Sequence, residues 1–398
     1  MLEFGYACSE CGREYPLAPR FMVCPHCAAV QEADRPLHGV LEVTVRGAIG
    51  TTWDTYDLLP VGRSYFPPIP VGDTPLWEPE RLRAATGLGR LFIKDDSLNP
   101  TASLKDRASY LVAAYAREQR ITDIVVASTG NAASSMAGVG AAAGLRVTIF
   151  VPESAPRAKL VQSLQYGARV ITVAGNYDRA YELSLEYTQR YGGLSRNTAY
   201  NPLTIEGKKT VALEICKQLG GAPDLVYVPT GDGVILSGVY KGFRDLVQLG
   251  AIARVPTVYA VQAEGSDAIT RAFHRGDFGV PIAAHTVADS IAVDVPRNGY
   301  HALKQLRTYG GRCVTVSDEA ILEAQHRLAA STGLFAEPAA ATAFAGLLAT
   351  RDDVPAEATV VVLITGNGLK DIDAALRKVT LPERAISSID EIDCNQRK

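Results

Sequence analysis

The feature that most constrains the fold is an alternation, from about residue 90 onward, of short apolar runs with longer helical stretches. The runs are rich in β-branched residues without regular polar positions, as is typical of strands buried on both faces. They fall at residues 91–94, 124–127, 147–151, 170–173, 225–228, 258–262 and 360–364. Helical patterns lie between them at residues 107–120, 132–143, 178–191, 208–219 and 319–331. This alternation predicts an α/β protein with parallel sheets covered by helices.

The chain has 398 residues, of which 47% are hydrophobic, so it can bury the cores of two or three domains. Prolines at 67, 68 and 70 mark a connection, and we expect residues 37–89 to be irregular. The expected division is a small segment at residues 1–36, a large subdomain from residues 37–110 and 205–380, a smaller α/β subdomain at 111–204, and a polar tail at 381–398.

Charge and hydropathy narrow the classes of partner. The formal net charge of −3 gives no sign of a basic surface for nucleic acid or anionic lipid, which favours a small-molecule partner. No apolar run reaches the ~18 residues needed to span a bilayer. The first five residues lack the regions of a secretory signal, so we expect a cytoplasmic protein.

Four of the seven cysteines lie within the first 27 residues, as two Cys-x-x-Cys turns formed by Cys8 with Cys11 and Cys24 with Cys27. Each turn directs two thiolates to one point, and two turns complete the tetrahedron that Zn²⁺ prefers. His26 could replace one thiolate, although four are available. A closed four-sulfur site leaves no open coordination position, so we predict a structural zinc ribbon.

Polar segments follow several predicted strands, where ligands collect in parallel α/β folds. The first reads Asn-Pro-Thr-Ala-Ser-Leu-Lys-Asp-Arg at residues 99–107. Ser103 and Asp106 have the spacing of a capping box, which would place Lys105 in the first turn of a helix. The helix dipole there disfavours an ammonium ion and favours a neutral, nucleophilic amine. Taken alone, Lys-Asp-Arg is more typical of a solvated lysine between charged neighbours.

Three more segments stand at strand ends. Residues 128–131, Ser-Thr-Gly-Asn, offer hydroxyls and a helix N-terminus to a carboxylate. Residues 229–235, Pro-Thr-Gly-Asp-Gly-Val-Ile, could cradle a phosphate through backbone N–H groups. Thr365 offers a hydroxyl after the last predicted strand. Each signal alone is weak.

In this order and spacing the segments resemble threonine synthase, a pyridoxal-phosphate enzyme of the tryptophan-synthase-β-like class. The resemblance runs from Gly-Asp-Thr-Pro-Leu at 72–76 to Asp371, and includes Glu-Gly-Lys-Lys-Thr at 206–210 and Glu-Pro-Ala at 337–339. It implies fold type II, with two doubly wound parallel-sheet subdomains beside the zinc ribbon, and a homodimer.

The resemblance also implies roles for residues. Lys105 would hold pyridoxal 5'-phosphate as a Schiff base and then act as the catalytic acid and base, while Asn131 would bind the cofactor's phenolic oxygen. The cofactor phosphate would be held by Gly231, Asp232, Gly233, Val234 and Ile235. The substrate would be bound by Ser103, Ser128 and Thr129. Thr365 would face the pyridine nitrogen, where a neutral hydroxyl leaves the ring a weaker electron sink and favours elimination and replacement over transamination.

The implied reaction is that of a carbon–oxygen lyase, which converts O-phospho-L-homoserine and water to L-threonine and phosphate. The substrate's own phosphate would need a second anionic pocket. Candidate cations for it are Arg107, Lys159, Lys208 and Lys209.

Several positions depart from the family pattern. Ala102 and Leu104 stand where Gly and Phe are usual, and Ala132 replaces a Thr that helps to bind the substrate carboxylate. In the phosphate loop, Asp232 replaces Asn and residues 234–235 replace Gly-Asn. Backbone donors survive these changes, but the Asp232 carboxylate must point away from a phosphate. Lys208 replaces a common Gln. Its positive charge could bind a phosphorylated substrate, or Lys208 could be a solvated lysine at a helix start.

Two kinds of alternative stay open. A cysteate synthase-like or serine/threonine dehydratase-like enzyme would share Lys105, Asn131 and Thr365. A non-catalytic protein that binds a partner through its zinc module is a remote alternative, which the presence of Lys105 disfavours.

Overall fold

The computed structural model describes residues 2–382 and 385–391. Its strands are β1 (Glu3–Cys8), β2 (Glu14–Tyr15), β3 (Leu41–Arg46), β4 (Leu76–Trp77), β5 (Arg90–Asp95), β6 (Asp123–Ala127), β7 (Arg146–Pro152), β8 (Arg169–Val173), β9 (Leu194–Ser195), β10 (Leu225–Pro229), β11 (Thr257–Ala263), β12 (Arg312–Val316) and β13 (Thr359–Ile364). Its α-helices are α1 (Pro25–Ala28), α2 (Glu80–Thr86), α3 (Lys105–Glu118), α4 (Asn131–Ala143), α5 (Arg157–Gln165), α6 (Tyr177–Tyr191), α7 (Leu203–Lys208), α8 (Thr210–Leu219), α9 (Val234–Gln248), α10 (Ala268–Arg275), α11 (Gly299–Thr308), α12 (Asp318–Thr332), α13 (Pro338–Ala349) and α14 (Ile372–Leu376).

The prediction of parallel sheets covered by helices is confirmed. The larger sheet has the order β12-β11-β10-β13-β5-β4 and is parallel except for β4, which runs antiparallel to β5. The smaller sheet, β8-β7-β6-β9, is parallel throughout. All seven predicted strands are present. The sequence reading missed β12, an edge strand whose residues are mostly half-buried, and β9, which has only two residues.

The central strands are buried on both faces. In β13, Val360, Val362 and Ile364 pack into one hydrophobic cluster with α13, whereas Val361 and Leu363 pack into another with α8 and α9. Alternate side chains of a strand point to opposite faces of the sheet, so an unbroken apolar run is required there. Full burial of each such side chain contributes about 1.5–3 kcal/mol.

The expectation of irregular structure across residues 37–89 is wrong, because that stretch contains β3, β4 and α2. In β3, Leu41, Val43 and Val45 are buried while the residues between them are half-buried. The strand pairs antiparallel with all of β1, and β2 pairs on the other side. This alternation is readable in the sequence, since the prolines at 67, 68 and 70 break only the connection that follows. The cysteine-bearing sheet therefore extends beyond residue 36.

Helix α3 begins at Lys105, which therefore lies in the first turn as predicted, but the capping box is wrong. The residue before the helix is Leu104, in helical rather than extended conformation, and no side chain caps the helix. The Asp106 carboxylate instead accepts hydrogen bonds from the backbone N–H of Thr101, at 2.7 Å, and from its hydroxyl. Ser103 is fully buried, and its hydroxyl has no hydrogen-bond partner among the described residues.

The predicted helix at 208–219 is two helices, since α7 ends at Lys208 and α8 begins at Thr210. The reading of Lys208 as a solvated lysine at a helix start is wrong, because its side chain is fully buried. The expected tail at 381–398 lies partly outside the described residues. In the described part of the chain, no helix is long and apolar enough to cross a membrane.

Candidate active site

The start of α3 is held beside the end of β13. The backbone N–H of Leu104 donates to the carbonyl of Thr365 at 2.9 Å, and that of Asn367 donates to the carbonyl of Ala102 at 3.1 Å. Lys105 therefore lies at the carboxyl end of the larger sheet, where parallel α/β folds bind ligands.

A cavity of about 450 Å³ opens over Lys105. The structure brings together in its wall most of the residues predicted from sequence, namely Lys105, Ser128, Thr129, Asn131, Gly231, Asp232, Gly233 and Ile235. Ser103, Val234 and Thr365 do not line it. Ser103 and Val234 are fully buried, and Thr365 is 6% exposed, so these three lie behind the wall.

The glycine loop before α9 forms a backbone cradle in the wall of the cavity. A Cβ atom added to Gly231 would lie 2.7 Å from the Cα of Ile291, and Gly233 has a φ of +87°. Both positions therefore require glycine. The first-turn N–H groups of a helix have no partner within the helix and attract anions. Ile235 and Leu236 are at that position of α9 and line the cavity.

Asp232 is accommodated in the cradle by a local hydrogen bond. Its Oδ1 accepts from the backbone N–H of Val234 at 3.0 Å. The Asn298 side chain supports the loop by donating to the Gly233 carbonyl at 3.0 Å and to the Ser237 hydroxyl at 2.7 Å. The Val234 N–H is thus already satisfied by a side chain, which leaves the later N–H groups of the helix for a ligand.

Burial is the main cause that lowers the pKa of Lys105 from its usual value, and the positive charge of Arg196 lowers it further. Asp232 and Glu337 oppose this shift. The expected direction of the shift is therefore right, but its main cause is desolvation. A lowered pKa leaves more of the amine neutral and nucleophilic near neutral pH.

A second cavity of about 420 Å³ adjoins the first and shares residues 129–131 and 289–290 with it. Glu337 lies in its wall, and burial raises the pKa of this carboxyl. Lys370 also lies in this wall, and it donates to Gln162 at 2.8 Å and to the Ser134 hydroxyl at 3.2 Å. Asn131 thus lies where the two cavities meet.

The sequence analysis missed three parts of the site. Residues 176–178 and 181, at the start of α6, line the Lys105 cavity. Residues 289–297 form one wall of the Lys105 cavity, yet they carry no periodic pattern or motif. Arg196 is fully buried and bonds to the Lys105 carbonyl at 3.4 Å. Arg196 directly follows β9. Ligands collect at the carboxyl ends of parallel strands, so recognition of β9 in the sequence would have marked Arg196 as a candidate site residue.

Two of the four candidate cations are buried in ion pairs. Arg107 forms buried ion pairs with Asp96 at 2.6 Å and Glu214 at 2.5 Å, and Lys209 is paired with Glu206 and Asp245. The expectation that they bind a substrate phosphate is wrong, since these charges are already compensated. Lys159 lies at the second cavity, 2.6 Å from Asp289.

The four N-terminal cysteines converge. All four sulfur atoms lie within 4.8 Å of one another, with 3.7 Å between Cys8 and Cys27 and 3.8 Å between Cys11 and Cys24. A tetrahedral site with Zn–S bonds of about 2.3 Å requires sulfur–sulfur distances near 3.8 Å, so the cluster fits this metal. The distances are far too long for disulfides.

Comparison with known proteins agrees with this geometry. Residues 69–366 match the family of pyridoxal-phosphate dependent enzymes, and the chain belongs to that family. Among curated relatives it is 34% identical over 381 residues to a threonine synthase of Methanocaldococcus jannaschii, covering 93% of this chain and 94% of the relative. It is 38% identical over 309 residues to a threonine synthase of Synechocystis sp., covering 77% and 79%.

Among solved structures, a threonine deaminase of T.th. superposes with a TM-score of 0.63 at 25% identity, covering 74% of this chain and 92% of that one. The family-level resemblance drawn from the sequence motifs is confirmed.

Proposed function

We propose that this protein is a threonine synthase, which converts O-phospho-L-homoserine and water to L-threonine and phosphate. The observation that carries the proposal is the placement of Lys105, Asn131 and the glycine loop in the wall of one cavity. Curated relatives named threonine synthases, matched over most of the chain, support it.

The cavity residues fit pyridoxal phosphate. The backbone cradle at residues 231–236 suits its phosphate, and the Lys105 amine has the lowered pKa that covalent attachment needs. When bound, the cofactor supplies an electron sink that acidifies the substrate's Cα–H bond. We assign the phenolic oxygen to Asn131 and the pyridine nitrogen to Thr365.

Lys105 would carry protons in the reaction. Once released from the cofactor, its amine is the basic group placed to remove the substrate's Cα proton and to return protons later. Ser128 and Thr129, together with the N-terminus of α4, would hold the substrate carboxylate. Lys159 would meet the substrate from the adjoining cavity, whose wall holds Asn131 as well.

We also propose a structural Zn²⁺ at Cys8, Cys11, Cys24 and Cys27. The sulfur–sulfur distances support it, and so does the packing of Cys8, Cys24 and Cys27 into the same hydrophobic cluster as α3. Clustered thiols suited to a metal are typical of a reducing compartment, which supports a cytoplasmic protein. The family resemblance supports a homodimer, which sedimentation velocity would test.

The test of the substrate is a product assay. Purified protein loaded with pyridoxal phosphate would be supplied in parallel with O-phospho-L-homoserine, O-phosphoserine, serine and threonine, with phosphate release and chromatography as readouts. We expect threonine and phosphate from O-phospho-L-homoserine. Turnover of another substrate, without threonine from this one, would overturn the substrate assignment and leave the cofactor class intact.

One observation favours a second candidate, a serine/threonine dehydratase. Four aspartates line the Lys105 cavity. Asp178 is paired with Arg297 and Asp289 with Lys159, whereas Asp232 and Asp294 form no ion pair among the described residues. Ala132 also lines it without a hydroxyl. An acidic wall suits a substrate without a phosphate better, and 2-oxoacid formation from serine or threonine in the same assay would identify this activity.

A further inference from the structure

Two cations lie buried behind the Lys105 cavity. Arg196 and Lys208 are both 0% exposed. Among the described residues the Lys208 amine has no hydrogen-bond partner. Burial of a charged or polar group without a partner is unfavourable, so such a group points to a partner that arrives with a ligand.

The Lys208 side chain lies close to residues that line the cavity. Its Cβ packs against Gly238, in the second turn of α9, where an added Cβ would lie 2.7 Å away. The charges that act on its amine are those of Arg196, Lys105 and Asp232, and burial with the two cations lowers its pKa well below the usual value. Lys105 and Asp232 both line the cavity. The next residue, Lys209, is directed away, to Glu206 and Asp245.

Among the described residues, Arg196 bonds only to neutral acceptors. Its guanidinium donates to the hydroxyl of Thr198 at 2.8 Å, to that of Ser109 at 3.2 Å and to the carbonyl of Lys105 at 3.4 Å. Burial lowers its pKa to about 10. Within the described part of the chain it has no carboxylate ion pair, in contrast to the buried Arg107. Its positive charge is therefore available to an anion in the cavity.

We propose that Lys208 and Arg196 form a cationic pair that binds a phosphate monoester in the Lys105 cavity. The inference rests on the proposed function, and it adds two residues to the backbone donors of the glycine loop. It explains why an acidic residue is tolerated in that loop, because Asp232 brings a negative charge close to a bound phosphate. Two added cations compensate for it.

The phosphate monoester could belong to the cofactor or to the substrate, and binding measurements distinguish them. In Lys208→Met the amine is replaced by an apolar chain of similar length. Apoprotein would be titrated with pyridoxal phosphate and, separately, with pyridoxal, followed by absorbance. The protein loaded with cofactor would be titrated with inorganic phosphate by calorimetry. Loss of a charge-assisted hydrogen bond to phosphate should weaken binding roughly 10- to 100-fold.

Weaker binding of pyridoxal phosphate but not of pyridoxal would support the pair as a site for the cofactor phosphate. Weaker binding of inorganic phosphate alone would support it as a site for the substrate phosphate. If all three affinities stay within about twofold of the wild type, or if pyridoxal and pyridoxal phosphate weaken equally, the proposal is overturned.

The controls distinguish the loss of this site from a change in net charge and from a loss of folding. Lys378→Met removes a surface lysine that is paired with Glu323, and it should change none of the three affinities. Circular dichroism will show whether Lys208→Met is folded. If it is not, Lys208→Gln, which has a neutral polar side chain, is tested by the same three titrations. No arm requires turnover. Failure of the proposed threonine synthase activity would therefore leave these results interpretable.

Discussion

The side-chain amide of Asn131 donates to both carboxylate oxygens of Glu337, at 3.1 and 3.0 Å. The same amide lies 3.2 Å from the Ser290 hydroxyl. Glu337, in the wall of the second cavity, thus fixes the orientation of the Asn131 side chain. The negative charge of Glu337 also raises the pKa of Lys105. Two residues of the family-like motifs, far apart in sequence, are coupled by this contact.

Glu337→Gln should shift the reactivity of Lys105 to lower pH. The Glu337 charge raises the pKa of Lys105, so its removal should lower that pKa and enlarge the neutral fraction at a given pH. The measurement is the rate at which apoprotein captures pyridoxal phosphate, followed by visible absorbance across the range from mildly acidic to alkaline pH. Glu323→Gln, on the surface of α12, is the control. A profile identical to that of the wild type would contradict this coupling.

Lys105→Ala should abolish covalent capture of the cofactor. The variant is expected to lose the visible absorbance of the lysine-bound cofactor and roughly 10³-fold or more of the activity, since both anchor and base are removed. Borohydride reduction followed by peptide mapping checks the site. Lys159→Ala, outside the Lys105 cavity, should retain the reducible linkage. A cofactor still fixed by borohydride in Lys105→Ala would refute the assignment.

Cys24→Ser should release the metal without removing the cofactor. The wild type should contain about one zinc per chain, because four thiolates close a tetrahedral site. Loss of one ligand should expose residues 1–46 to proteolysis while the cofactor absorbance persists. Elemental analysis and limited proteolysis measure both effects. Cys216→Ser, at a buried cysteine distant in sequence from the cluster, should keep its zinc. Retention of full zinc by Cys24→Ser would rule out the proposed ligand set.

Ala102→Gly should stabilise the protein. Ala102 has a φ of +67°, a left-handed conformation that costs an L-residue roughly 1–2 kcal/mol. Glycine removes this strain but gains freedom in the unfolded chain worth about 0.4–1 kcal/mol, so the net gain in unfolding free energy is about 0.5 kcal/mol. A higher thermal midpoint is the expected readout. Ala108→Gly, inside α3, should lower it instead. No rise for Ala102→Gly would mean that the loop is not strained.

The sequence predicted those parts of the fold and site that depend on local pattern. The unbroken apolar runs at β5, β10, β11 and β13 identify a parallel sheet. The glycine loop and Lys105 could be predicted as site residues because they lie just after strand ends. Arg196 could not be found in this way, because two residues are too few for β9 to show a periodicity.

Other features depend on tertiary partners. Spacing suggests that Ser103 and Asp106 cap α3, but Thr101 occupies the Asp106 carboxylate. The cavity wall at residues 289–297 is held by packing against the glycine loop, where Gly231 approaches Ile291. Neither relationship has a signature in a single sequence, since both join segments that no local pattern connects.

Ala132→Thr should improve use of the substrate if the threonine synthase assignment is right. Ala132 is 9% exposed and lines the Lys105 cavity in the first turn of α4, next to Asn131. A hydroxyl there adds one donor for the substrate carboxylate, and a hydrogen bond to a charged group contributes about 1.5–3 kcal/mol. The value of kcat/KM for O-phospho-L-homoserine should rise about tenfold, allowing for imperfect geometry. Ala132→Val, of the same shape without the hydroxyl, separates the donor from the added volume. Equal effects of Thr and Val on kcat/KM would show that the carboxylate is held elsewhere, and a gain for serine alone would favour the dehydratase.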